Sequence, residues 1–292
     1  MSEPSVFLNL SAPQRAEEAS RLPAAGVGLM RAEFLALTAG MHPGRVLEDE
    51  GSEEYVALFR DGLERVARAF HPRPVTYRLS DLKSNEYRGL LGGDRFEPVE
   101  SNPMIGRRGA FRYLQNPAEF RLEVRAIREA RENGLDNVRV MVPFVRTPEE
   151  LRSVCEAIEA EGLPRGDGFE IWAMAEVPST ALIPASFAAL VDGISIGSND
   201  LVQLVLGIDR DSAELGSHYA ATDAAVIEAL RRIVEGAHAE GRPVSVCGDQ
   251  PGREPEFLAA LMALGVDSVS VVPEAFEETS QLISSRGAAP AL

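Results

Sequence analysis

The sequence predicts a single-domain (β/α)₈ barrel. Short apolar runs alternate with longer amphipathic stretches from about residue 26 onward, eight such units can be counted, and no glycine-rich nucleotide loop accompanies them. The 292 residues suit that fold, because barrels of this kind fill about 250 residues as one unit. A doubly wound open sheet also alternates strand and helix, but GVGLMRAEF lacks the third glycine of a dinucleotide loop. No G-x-x-x-x-G-K-[ST] run occurs anywhere.

Taken in order, the expected strands are GVGLM at 26–30, PVTYRL at 74–79, a short run near NPMIG at 102–106 and VRVMVPFV at 138–145. FEIWAMAEV at 169–177, GISIG at 193–197, VSVC at 244–247 and SVSVV at 268–272 complete the eight. Between them, 53–70, 117–134 and 223–241 carry apolar residues at three- and four-residue spacing, the mark of helices buried along one stripe. Gly134 and Gly241 suit the left-handed residue after a helix, and Thr147 followed by Pro148 suits a helix start. The run SVFLNL at 5–10 has no helical pattern. It is expected to lie across one barrel end, so that residues 1–25 form a capping segment and residues 26–292 the barrel.

Composition narrows the function. Apolar residues make up 45% and charged residues 25%, the balance of a globular chain with a substantial core. A net charge of −16 argues against nucleic acid and against anionic membrane surfaces, both of which select clustered Lys and Arg. No run is long and apolar enough to span a bilayer and the first ten residues lack a signal-peptide pattern, so a cytoplasmic location is expected. Cys155 and Cys247 are too few for a disulfide framework. Cys155 falls on the apolar stripe of a helix and reads as core. The four histidines, His42, His71, His218 and His238, form no ligand cluster and read as structural or surface residues. Lys83 is the only lysine in the chain.

In a barrel the chemistry sits at the carboxyl ends of the strands. There the sequence places Arg31 and Glu33, Arg78 and Asp81, Arg107 and Arg108, then Glu176, Asn199 with Asp200, and Cys247. Arginines provide a fork for phosphate or carboxylate, and several on one rim are expected to reverse the local potential of an acidic protein. Glu176 and Asp200, on neighbouring strands, could share a hard cation that keeps some water, as Mg²⁺ does. A general acid/base pair is the competing reading, disfavoured by the arginines, which are expected to keep both groups ionised. Cys247, at a strand end before Gly248, is expected to have its thiol pKa lowered by arginines and a metal ion and to transfer a proton.

At these residues the sequence resembles the C-terminal barrel shared by phosphoenolpyruvate synthase, pyruvate phosphate dikinase and enzyme I of the sugar phosphotransferase system, with the synthase type nearest. The resemblance rests on GVGLMRAEFL, VTYRLSDLKSNEYRGLLGG, NPMIGRRGAFRYL, VMVPFVRTPEEL, MAEVPS, DGISIGSNDLVQLVLGIDRDS and VCGD, in that order. It implies a phosphotransferase barrel that binds phosphoenolpyruvate or pyruvate. Arg31, Arg78 and Arg108 would hold the phosphoryl and carboxylate groups, with Asn199 and Asp200 among the substrate contacts. Glu176 and Asp200 would bind Mg²⁺, with Mn²⁺ as a substitute. Cys247, Arg31, Arg78 and Asn199 would form the catalytic set, and Cys247 would protonate or deprotonate the methyl carbon. Arg107 is additional to the motif and is taken as a neighbour. The chain carries no phosphohistidine motif or nucleotide-binding segment, so the resemblance further implies a phosphohistidine domain or protein as partner, and a homodimer. Ser101 and Asp249 depart from the family pattern, in which glutamate, and glutamine or glutamate, are more usual. Two other classes remain open: a non-catalytic regulatory protein that binds the same ligand, and a pyruvate-enolate lyase or aldolase.

Overall fold

The computed structural model describes residues 3–166, 168–209, 212, 214–215, 219–248 and 250–287. Among them eight parallel strands close into a barrel in sequence order: β1 (Ser5–Leu10), β2 (Val27–Arg31), β3 (Val75–Arg78), β4 (Val138–Val142), β5 (Ile171–Ala175), β6 (Gly193–Gly197), β7 (Val244–Cys247) and β8 (Ser268–Val271). The ring closes where β1 pairs with β8, Ser5 opposite Ser268. Helices follow the strands and cover the outside, led by Ser52–Phe70, Pro117–Glu132, Pro148–Ala160 and Ala224–Ala239.

Side-chain alternation explains why these runs make a barrel. In β6, β7 and β8 the outward residues Ile194, Ile196, Val244, Val246 and Val269 pack under the helices. The alternate positions turn Ser195, Ser245, Ser268 and Ser270 inward, all of them buried. Leu29, Met141, Trp172, Met174 and Cys247 form a separate apolar cluster from β2, β4, β5 and β7. Small inward residues leave room for these large ones: a Cβ at Gly193 would lie 2.5 Å from the Trp172 ring, and one at Gly28 2.6 Å from Ser270 Oγ. The lumen is thus packed and carries ligand groups only at its upper rim.

Two expectations are corrected. SVFLNL does not lie across a barrel end; it is β1, wedged between β8 and β2, and its short alternation of buried and partly buried residues is that of a strand. NPMIG is no strand. Pro103–Ile105 forms one turn of 3₁₀ helix within the long β3 to β4 connection, where Pro103 withholds a ladder hydrogen bond and Ile105 faces solvent. The expected count of eight holds because one omission and one false strand cancel. Strand β4 also stops at Val142, before Pro143, and Phe144 turns into the left-handed region with φ 47°. The helix signals hold: Thr147 Oγ1 accepts the Glu150 amide at 3.1 Å, and Gly134 and Gly241 adopt φ of 88° and 67°.

Candidate functional site

Every site residue expected from the sequence borders one open cavity of about 460 Å³ at the carboxyl ends of the strands: Arg31, Arg78, Arg108, Glu176, Asn199, Asp200 and Cys247. Arg31 and Arg78 are the last residues of β2 and β3, and Cys247 the last of β7. Glu176 follows β5 directly, while Asn199 and Asp200 open the helix Ser198–Leu206 after β6. Arg108 arrives differently. It precedes the helix Gly109–Gln115 in the β3 to β4 connection and is folded back over the barrel mouth, because Gly109 at φ 56° packs where a Cβ would meet Pro143 O at 2.6 Å.

A chain of buried charge pairs fixes this rim. Glu33 Oε1 accepts from Arg78 Nη2 at 2.9 Å and from the Asp81 amide at 2.7 Å. Asp81 receives Arg108 through Nε at 3.0 Å and Nη2 at 2.5 Å, and the same Nη2 donates to Asp200 Oδ2 at 3.0 Å. The Arg108 guanidinium stacks 4.0 Å above the Phe144 ring, and the Phe144 amide donates to Glu176 Oε1 at 2.7 Å. Burial alone would disfavour the charges of Arg78 and Arg108, but the facing carboxylates outweigh it and raise both pKa values. These two arginines are therefore permanently charged and held in place. The Arg31 guanidinium and the Asn199 amide differ, since neither hydrogen-bonds another described residue. They are the donors left for a ligand.

Asp81, Glu176 and Asp200 form a buried carboxylate cluster whose oxygens lie within 4.8 Å of one another, a donor set that fits a hard divalent ion. Gly197 makes room for it, because a Cβ there would sit 2.6 Å from Glu176 Oε2. Burial, then the charges of Asp200 and Asp81, raise the Glu176 pKa against the pull of Arg108 and Arg78. The expectation that the arginines keep both carboxylates ionised is reversed at Glu176. Nor do the arginines reverse the local potential: the cavity is lined by four cationic side chains and five carboxylates, a net of −1 when all are ionised. Arg31, Arg78, Arg108 and Lys83 face Glu33, Asp81, Glu86, Glu176 and Asp200. A bound divalent cation would turn that balance positive and relieve three crowded carboxylates.

At Cys247 the protein's own groups do not give the expected lowering of the thiol pKa. Its sulfur, almost fully buried, takes a hydrogen bond from Ser195 Oγ and faces Ile196 O, both at 3.5 Å. Burial pushes the thiol pKa up, beyond what the Ser195 hydrogen bond and Arg78 pull down. A thiol raised in this way is suited to donating a proton. Gly248, at φ 140°, is required beside it because a Cβ would overlap Ser198 Oγ at 2.2 Å.

Sequence reasoning noted Glu33 and Asp81 only as strand-end residues and missed Phe144, Gly197 and Lys83 as site elements. Asp81 carried a usable signal, lying three residues past Arg78; Phe144 carried none. Arg107 lies outside the cavity, its guanidinium on Asn116 Oδ1 at 2.5 Å. Ser101 is exposed in the β3 to β4 connection, whereas Asp249 and His218 lie outside the described residues. His42 is fully buried against Glu97 and Arg112, His71 and His238 are surface residues, and Cys155 packs half-buried against the core.

With this geometry in hand, comparison with known proteins decides the family. The pattern described as "PEP-utilising enzyme, PEP-binding domain" matches residues 1–287. The chain belongs to the PEP-utilising enzymes. Among curated relatives of this family, a Staphylothermus marinus protein named "Probable phosphoenolpyruvate synthase" is 48% identical over 96% of the chain and 34% of its own length. The phosphoenolpyruvate synthases of Aeropyrum pernix and Escherichia coli are 45% and 40% identical, over 96% and 94% of the chain and 35% and 38% of theirs. The chain thus spans about a third of the length of the PEP-utilising relatives it matches. Among solved structures, an HpcH/HpaI aldolase/citrate lyase family protein of Burkholderia cenocepacia matches with a TM-score of 0.54 at 14% identity, over 98% of this chain and 93% of that one. An HpcH/HpaI aldolase of Desulfitobacterium hafniense gives 0.50 at 11% identity, over 99% and 95%. At those identities the likeness speaks for the barrel alone. No helix among the described residues is long and apolar enough to cross a membrane.

Proposed function

We propose that this chain is a phosphotransferase barrel of the phosphoenolpyruvate synthase type, which binds phosphoenolpyruvate or pyruvate with Mg²⁺ and stabilises the enolate of pyruvate for phosphoryl exchange with a phosphohistidine-bearing partner. One observation carries the reading: two fixed arginines, two donors without a hydrogen-bond partner among the described residues, three clustered carboxylates and a buried thiol border the same cavity.

Each group has a distinct task. Arg31 and Asn199 bind phosphoryl or carboxylate oxygens, since among the described residues neither side chain has a competing hydrogen-bond partner. Arg78 and Arg108 present positive charge already oriented by Glu33 and Asp81, so little reorganisation accompanies the growth of enolate charge. Glu176 and Asp200, with Asp81 beside them, would hold the ion, which would supply further positive charge to stabilise the enolate. Transfer breaks the bond between phosphorus and the enol oxygen and forms one to the partner's histidine nitrogen. The Cys247 thiol then gives its proton to the methylene carbon, leaving pyruvate and a thiolate that is reprotonated before the next turnover. With its cationic side chains already matched by carboxylates, the site needs the cation before it accepts a trianion. Calorimetric titration with phosphoenolpyruvate tests this: binding in Mg²⁺ that is lost in a chelator is expected, and cation-independent binding or none at all overturns it.

A further inference from the structure

Lys83 stands apart from the other cations of the cavity. Arg78 and Arg108 are each hydrogen-bonded to carboxylates, whereas the charged neighbour of Lys83 Nζ among the described residues is Glu86 Oε1, at 3.7 Å and beyond hydrogen-bond reach. Glu86 is 40% exposed, so water weakens its hold on the ammonium. The main chain of Lys83 is nevertheless fixed, its amide donating to Glu86 Oε2 at 2.7 Å. A rigid anchor thus carries a flexible four-carbon arm whose charge, among the described residues, is held only by this long contact with Glu86.

Its position is equally specific. Lys83 and Met104 line both the ligand cavity and an adjoining one of about 490 Å³ between the β3 to β4 connection and the helix after β6, bordered by Asn102, Ile105, Leu204 and Ile208. In the ring of eight strands β3 stands opposite β7, and Lys83, in the loop after β3, lines the same cavity as Cys247 at the end of β7. On the reading proposed above, the methylene carbon lies at Cys247. The phosphoryl group must then extend away from it and remain reachable from outside, which is the side Lys83 borders.

We propose that the ammonium of Lys83 is a phosphoryl-binding group that swings from Glu86 onto the ligand and so selects the phosphorylated three-carbon acid over the unphosphorylated one. This assignment rests on the proposed function and adds a specificity residue to it. The simpler alternative is a solvated pair of Lys83 with Glu86 and no ligand contact.

The two separate experimentally because Lys83 is the only side-chain amine in the protein. In Mg²⁺, Lys83→Met is expected to weaken phosphoenolpyruvate binding roughly ten-fold or more, the scale of a lost charge-assisted hydrogen bond, while changing pyruvate binding little. Lys83→Arg should retain most of the affinity. In the wild-type protein, which needs no variant to fold, phosphoenolpyruvate should slow trinitrobenzenesulfonate labelling of Lys83, read by peptide mapping, and pyruvate should not. Equal affinities for both ligands in Lys83→Met and wild type, equal weakening of both, or labelling that phosphoenolpyruvate leaves unchanged overturns the assignment alone. Failure of the wild-type protein to bind phosphoenolpyruvate removes the functional reading and this assignment with it.

Discussion

Arg108 grips Asp81 with two hydrogen bonds, 3.0 Å from Nε and 2.5 Å from Nη2, and does so with both side chains almost completely buried. This pair joins the β3 rim to the loop that closes over it, and through Asp200 it reaches β6. Truncating one side of such a pair takes a buried guanidinium from two carboxylates at once, leaving Asp81 with the looser Arg78 contact at 3.8 Å. Arg108→Met is therefore expected to lower unfolding stability by about 3–5 kcal/mol in chelator. Urea unfolding with and without Mg²⁺ checks this, and part of the loss should return with the cation, which can neutralise Asp81 and Asp200 in place of the guanidinium.

Gly197 gives a test of the carboxylate cluster that leaves every ligand in the chain. A methyl group there would lie 2.6 Å from Glu176 Oε2 and displace the carboxylate. Gly197→Ala should weaken divalent-cation binding roughly 10–100-fold, the scale seen when groups that orient metal ligands are disturbed. Titration of Mn²⁺ by electron paramagnetic resonance would measure it directly. Unchanged affinity would separate Glu176 from the ion.

Behind the rim, Glu123 predicts a pH dependence. Its Oε1 accepts from Tyr77 Oη at 2.8 Å, the Ser80 amide at 3.0 Å and Ser80 Oγ at 3.1 Å, fixing the segment between Arg78 and Asp81. Burial, ahead of these hydrogen bonds, pushes its pKa up to about 7. The folded state therefore binds this proton more tightly than the unfolded chain does. The associated stability is complete below the ordinary carboxyl range and is lost as pH rises to about 7, on the order of 3 kcal/mol over the window. Glu123→Gln, which stays neutral, should show no such loss, so its stability relative to the wild type should rise with pH between about 4.5 and 7 and then level off. Parallel unfolding curves for the two proteins across that range would contradict the assignment.

Much of this arrangement was legible in the sequence, for identifiable reasons. Strand ends of a barrel converge by construction, so reactive residues after apolar runs, such as Arg31, Arg78, Glu176 and Cys247, are predicted neighbours even when over 200 residues apart. What escaped depends on direction, not on residue type. SVFLNL is too short for periodicity to show which element it pairs with, and NPMIG is apolar without being extended. The left-handed turn at Phe144, which sets both the ring under Arg108 and the amide on Glu176, has no sequence mark, because bulky residues rarely adopt it. The sign of the Cys247 shift also depended on burial, which outweighs the nearby arginine.

The central property of the site is its capacity to quiet and protonate a pyruvate carbanion. Proton NMR of pyruvate in D₂O, with Mg²⁺ and this protein, measures that without any partner. Loss of the methyl signal is expected with the wild type, slowed roughly 10²–10⁴-fold in Cys247→Ala and absent in chelator. Methyl protons that never exchange, or that exchange at the same rate in Cys247→Ala, would contradict it.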